Sequence, residues 1–227
     1  MDKQQFEALI ADAVNDSELK SSEIPDIDLY VDQIISLHLE KLGKGSARFS
    51  DRQLTKTMIN NYAKDRVITP VKGKKYTKEQ IIQILTVYTL KNTLSIGEIK
   101  RVLDGAYAID EFDGAALTEL YDRYCSIKES NRALSSRVVA EMIAQNGLDI
   151  ENDEKDLIAA IAGIVSLSAF LKNIAQAMID ERYPLPVAEE EKDKKEDKKE
   201  KKEKEKKEKK KDKEGEKGKE KNPSEDK

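Results

Sequence analysis

Apolar residues recur at spacings of three and four through most of the first 183 positions, a pattern that predicts an all-α fold. Three helix starts stand out. Thr55 can cap a helix, with Leu54 and Ile59 placed as a hydrophobic staple. Thr77 pairs with Gln80 as a capping box and has Tyr76 and Ile81 as its staple; Ser95 repeats the arrangement with Glu98, Leu94 and Ile99. These starts predict helices near 56–66, 78–92 and 96–103, with a short connection from Pro70 to Tyr76. Upstream, Tyr30, Ile34, Leu37 and Leu42 form an apolar stripe that predicts a helix over Asp28–Leu42. The polar, Gly-rich stretch "GKGSARFSDRQ" separates it from the next helix.

Beyond residue 105 the pattern predicts helices only, over about 113–183. In the last of them Leu157, Ile161, Ile164, Ser168, Leu171, Ala175 and Met178 follow spacings of four and three, a heptad-like seam, and Ala159 and Gly163 allow close helix approach. Ile161, Ile164 and Leu171 are the candidate dimer contacts, although an internal core helix predicts the same pattern. Leu157–Leu171 is uncharged for 15 residues, shorter than the roughly 20 that a membrane span needs. Asp156 and Lys172 close it on both sides, so the expected helix is buried or dimer-forming and no membrane partner is expected.

Composition changes the picture mainly at the C-terminus. From Glu189 the chain is almost entirely Lys, Glu and Asp, with too little apolar surface to offset the entropy of ordering. The organisation read from the sequence is an acidic N-terminal helix or arm at 1–23, a head at 24–105, a helical segment at 106–183 and a disordered tail at 184–227. The N-terminus has no signal-peptide pattern, so a cytoplasmic location is expected. One Cys and one His among 227 residues exclude disulfide, zinc and iron–sulfur frameworks within one chain, and no metal or cofactor is expected. Cys125 is expected to be a small buried side chain, and His38 a structural residue at the surface or its boundary.

Charge is distributed unevenly. Lys and Arg stand 3 against 10 Asp and Glu over residues 1–43, 13 against 4 over 44–102, and 7 against 15 over 103–188. A net +9 block between acidic flanks points to an anionic partner, unless the flanks fold back and neutralise it. On a helical wheel of the 56–66 segment, Met58, Ile59 and Tyr62 gather on one side. Thr57, Asn60 and Lys64 lie opposite, flanked by Lys56 and Asn61. Asn can bond adenine bidentately, Lys can bond guanine or phosphate, and the Thr methyl can touch the thymine methyl. Two adjacent Asn also lower helix propensity with no packing return.

The run "LTKTMINNYAKDRVITPVKGKKYTKEQIIQILTVYTLKNTLSIGEIKRVL" resembles the DNA-binding head of MerR-type regulators: a recognition helix, a Pro-containing wing, then a Tyr before a capped helix. Together with "IPDIDLYVDQI" it resembles more closely a Firmicute family of MerR-like proteins catalogued as a domain of unknown function, over roughly residues 20–130. The resemblance implies a winged helix-turn-helix head on double-stranded DNA and a homodimer joined by a C-terminal helix. Thr57, Asn60, Asn61 and Lys64 would read bases; Lys56, Lys72, Lys74, Lys75 and Tyr76 would hold the backbone. Arg66 stands where the MerR pattern has a Gly, and the wing is several residues shorter. A helical protein-interaction adaptor is the alternative. An enzyme is not expected, because no phosphate loop, nucleophile elbow or His-containing constellation is present.

Overall fold

A computed structural model of the chain describes residues 2–43, 45–49 and 52–185. The chain divides into Met1–Tyr183 and Pro184–Lys227. All but the first two residues of the second unit, and with them the expected disordered tail, lie outside the described residues.

Among the described residues, the first unit has seven α-helices: α1 (Lys3–Ala13), α2 (Val31–Leu42), α3 (Lys56–Lys64), α4 (Lys78–Leu90), α5 (Ile96–Tyr107), α6 (Gly114–Gln145) and α7 (Glu154–Arg182). Two short strands, β1 (Leu29–Tyr30) and β2 (Lys75–Tyr76), pair antiparallel with Leu29 opposite Tyr76 and Tyr30 opposite Lys75. The three caps form as their side chains dictate. Thr55 Oγ1 accepts the Met58 N–H at 3.2 Å. Thr77 and Gln80 bond reciprocally at 3.3 and 3.0 Å, and Ser95 and Glu98 at 3.2 and 2.7 Å. Each arrangement satisfies amide donors that a helix start leaves without partners.

α4 is the centre of the head. Ile81, Ile82, Ile84 and Val87 are fully enclosed, and helices α3, α5 and α6 pack around them. The core extends from Leu19 through Ile34, Ile59 and Ile99 to Leu117 and Tyr121 at the start of α6. It therefore runs across both boundaries expected from the sequence, at 23/24 and 105/106. Tyr121 reinforces this by donating its buried hydroxyl to the Leu19 carbonyl at 2.6 Å.

Several expected bounds shift for local reasons. Residues 28–30 are not helical: Tyr30 is a strand residue and caps α2 instead of extending its stripe, with the Gln33 side chain accepting its N–H at 2.9 Å. α3 stops at Lys64 because Arg66 adopts φ +54°. The Arg66 N–H then bonds the Ala63 carbonyl at 3.2 Å, and the Val67 N–H bonds that of Tyr62 at 3.0 Å, a Schellman ending. Arg66 thus holds a left-handed position that Gly adopts more readily. α5 continues through Gly105 to Tyr107, and the missing Cβ of Gly105 makes room for the Tyr183 ring. His38 is buried, not at the surface: its ring meets Tyr88 edge-on at 4.7 Å, and desolvation lowers its pKa. Cys125 is half-buried, and burial pushes its thiol pKa up.

Candidate nucleic-acid interface

α3 has two chemically distinct faces. Ile59 and Tyr62 are 0% and 2% exposed, with Met58 half-buried beside them, while Lys56, Thr57, Asn60, Asn61 and Lys64 are all exposed. The inner face is anchored hard. Burial, followed by the neighbouring Tyr88, pushes the Tyr62 hydroxyl up to about 12. The approach to α3 is also held, since the Tyr88 hydroxyl donates to the Arg52 carbonyl at 2.5 Å and the Arg52 guanidinium lies 4.8 Å from the Phe49 ring centre. The link from α2 to α3 spans residues 43–55, much longer than the three or four residues of a tight helix-turn-helix.

The connection after α3 is fastened at its base by two buried glutamines of α4. Gln83, 1% exposed, accepts the Thr69 N–H at 2.8 Å and donates to the Tyr107 hydroxyl. Gln80 donates to the Pro70 carbonyl at 3.0 Å while completing its own helix cap. Beyond these fastenings Lys72, Gly73 and Lys74 form an exposed turn, with Gly73 at φ +86°, where a side chain would be strained. Lys75 remains exposed on β2, its ammonium 5.1 Å from the centre of the Tyr30 ring. β1 and β2 therefore do not form a hairpin, because α2 and α3 lie between them in the chain.

Tyr76 departs from its expected role. It is 6% exposed and packed in the core opposite Leu29, so its ring is not available to a nucleic-acid backbone. Tyr30 occupies the accessible position instead, at 48% exposure. The sequence reading missed it by placing it within a helical stripe; the signal lay in "DLY" preceding a Gln three residues into the helix.

Acidic groups neutralise part of the basic block. Lys78 pairs with Asp26 at 2.6 Å, Arg48 with Asp12 at 2.7 Å, Lys100 with Asp104 at 3.0 Å and Arg101 with Asp180 at 2.9 Å. Among the described residues, Lys56, Lys64, Lys72, Lys74 and Lys75 make no ion pair.

The candidate dimer contacts divide. α7 is long and apolar enough to cross a membrane by length and composition, and its most apolar window is only 6% buried within the chain. Ile161 and Leu171 are 54% and 59% exposed, whereas Ile164 is half-buried. Gly163 brings the first half of α7 against Met142 of α6. At the far end, Arg101 of α5 donates to the carbonyls of Ile179 and Tyr183 at 3.1 and 2.5 Å.

Residues 19–124 match the model of a family described as a domain of unknown function, DUF1836. The match begins at the first core residue, Leu19, and ends just past Tyr121, so it coincides with the head built around α4. No curated protein and no solved structure matches the chain.

Proposed function

We propose that the protein is a sequence-specific DNA-binding transcriptional regulator of MerR-like type, acting as a homodimer. α3 lies in the major groove, where Thr57, Asn60, Asn61 and Lys64 meet base edges. Lys56, Lys72, Lys74 and Lys75 grip phosphates, with Tyr30 in place of Tyr76 beside the wing. The observation that carries this reading is that Lys56, Lys64, Lys72, Lys74 and Lys75, on α3 and the turn after it, are all exposed and make no ion pair among the described residues. Exposed lysines with no acid beside them are available to an anionic partner.

A second copy of the chain covers the exposed apolar residues of α7. Two heads on paired half-sites supply the affinity that one small head lacks. Contacts of α7 with the rest of the unit, at Gly163 against Met142 and at the C-terminal carbonyls bonded by Arg101, favour a protein over a bilayer as what covers it. A helical adaptor would use the same apolar face without DNA.

Recovery of genomic DNA bound to the tagged protein tests the reading. A few sharp sites are expected, lost when Asn60 and Lys64 are replaced by Ala. Recovery of no sites from cells expressing folded protein would sink the regulator and favour the adaptor.

A further inference from the structure

Buried polar atoms without a hydrogen-bond partner gather at one point in the head. Among the described residues they are His38 Nε2, Glu18 Oε1 and the Tyr62 hydroxyl, with Glu18 Oε1 meeting Lys128 only as an ion pair. His38 and Glu18 line one cavity of about 40 Å³, and Tyr88 on its wall meets the His38 ring edge-on at 4.7 Å. The Tyr62 hydroxyl, on the inner face of α3, interacts with the same Tyr88. Interiors leave few polar atoms unpaired, so their gathering beside one ring marks a place held at a cost.

The ionisable groups that face His38 across the cavity leave a second positive charge there unbalanced. Asp16 and Glu18, on a strap at residues 15–19, are both paired with Lys128 of α6, at 2.5 Å for Asp16, and with Arg132 one turn further on. Lys128 and Arg52 are cations themselves, and the Tyr88 and Tyr121 hydroxyls already donate to the Arg52 and Leu19 carbonyls. A protonated imidazole would carry an N–H with no free acceptor. Burial accordingly lowers the His38 pKa.

The most weakly bonded wall of the cavity is the link into α3. Phe49 and Arg52 line the cavity from it, and their amides bond carbonyls three residues back, at 3.1 and 2.9 Å. The Ser46 amide bonds the Asn15 carbonyl of the strap at 2.8 Å. The other walls belong to the strap and to α2, α4 and α6, whose helical ladders are continuous. We infer that His38, Tyr88 and Arg52 form an acid-sensitive latch: neutral His38 packs on the ring that holds the Arg52 carbonyl, and a proton on His38 opens the link just ahead of α3. The opened link gives the imidazolium water while the helices stay folded. The latch itself does not depend on the regulator reading above, whereas its coupling to DNA does.

Amide exchange on the full chain, corrected for intrinsic rates, tests the latch. Ser46, Phe49 and Arg52 should exchange through an opening that low urea hardly changes and that is more frequent than the one exposing Ile99 and Leu103 of α5. Below pH 6.5 this opening should grow by up to about tenfold per pH unit, because the opened chain takes up one proton, and should level off at the lower midpoint of the closed form. His38 is the chain's one histidine, so NMR reads that midpoint without any variant. His38→Phe should abolish the growth. Tyr88→Phe keeps the ring but loses the bond to Arg52, so it should open the link at neutral pH and retain the slope. Link amides as protected as those of α5, an opening indifferent to pH, or a slope that survives in His38→Phe would overturn the inference. So would a slope that runs on past the His38 midpoint, a result that stands even where His38→Phe does not fold. Bound DNA should protect the same amides further, and DNA that leaves them unchanged overturns the coupling to α3. A latch in a protein that binds no DNA upholds the inference and removes the regulator.

Discussion

Side chains on opposite faces of one short helix carry separable duties. Replacing Asn60 and Lys64 by Ala should leave helical content and melting unchanged, since both are exposed, but should lower specific DNA binding by about 1–3 kcal/mol per lost base contact. Replacing Lys74 and Lys75 should instead weaken specific and random DNA alike, and flatten the salt dependence by about 0.9 in slope per lost phosphate contact. Filter binding across a salt series distinguishes the two; identical behaviour of the variants would move the reader elsewhere. Arg66 offers a stability measurement on the same segment. Its φ of +54° costs a side-chain-bearing residue more than it costs Gly, so Arg66→Gly should stabilise by about 0.5–1 kcal/mol in urea unfolding. His38 adds a pH dependence. Desolvation lowers its folded pKa below the ordinary 6.5, so the unfolded chain binds the proton first. Its contribution is fully present above pH 6.5 and is lost as pH falls below it, by at most about 1.4 kcal/mol per pH unit. His38→Phe should remove that part of the slope, read from urea midpoints between pH 7 and 5.

At the scale of elements, stability comes from polar fastenings set within an apolar frame. Gln83 ties the base of the wing to the end of α5 from a position that is 1% exposed. Gln83→Ala leaves the Thr69 N–H without its acceptor and opens space in the core. A loss of about 2–4 kcal/mol is expected, together with weaker DNA binding as Lys72–Lys75 lose their footing. α7 is fastened differently, through Arg101, which bonds the Tyr183 carbonyl just past the helix and adds a second donor to the Ile179 carbonyl. Arg101→Ala should fray the last turn before Tyr183 while leaving the start of α7 protected, as hydrogen exchange would read; uniform loss of protection along α7 would refute a local role.

For the whole molecule, exposure of α7 decides between its two readings. Ile161 and Leu171 are exposed within one chain, so Ile161→Lys with Leu171→Lys should give a folded monomer by sedimentation. Ile164→Lys should also destabilise the chain itself, because that side chain is already half-buried. An unmutated protein that sediments as a monomer at tens of micromolar would refute the dimer. Much of this architecture was legible in the chain. The Thr55, Thr77 and Ser95 caps, the buried stripe of Met58, Ile59 and Tyr62, and the long C-terminal helix all depend on neighbours within a few positions, so local rules sufficed. The outcomes that escaped it were set by residues far away in sequence. Leu29 and Tyr30 became a strand because Tyr76 and Lys75 lay beside them, and Tyr76 was thereby taken into the core. Tyr183 filled the empty side of Gly105, and the acid that neutralised each distant lysine or arginine was chosen by packing. Periodicity records which side of a helix is apolar, but only the folded chain determines what covers it, because that depends on distances between residues with no fixed sequence separation.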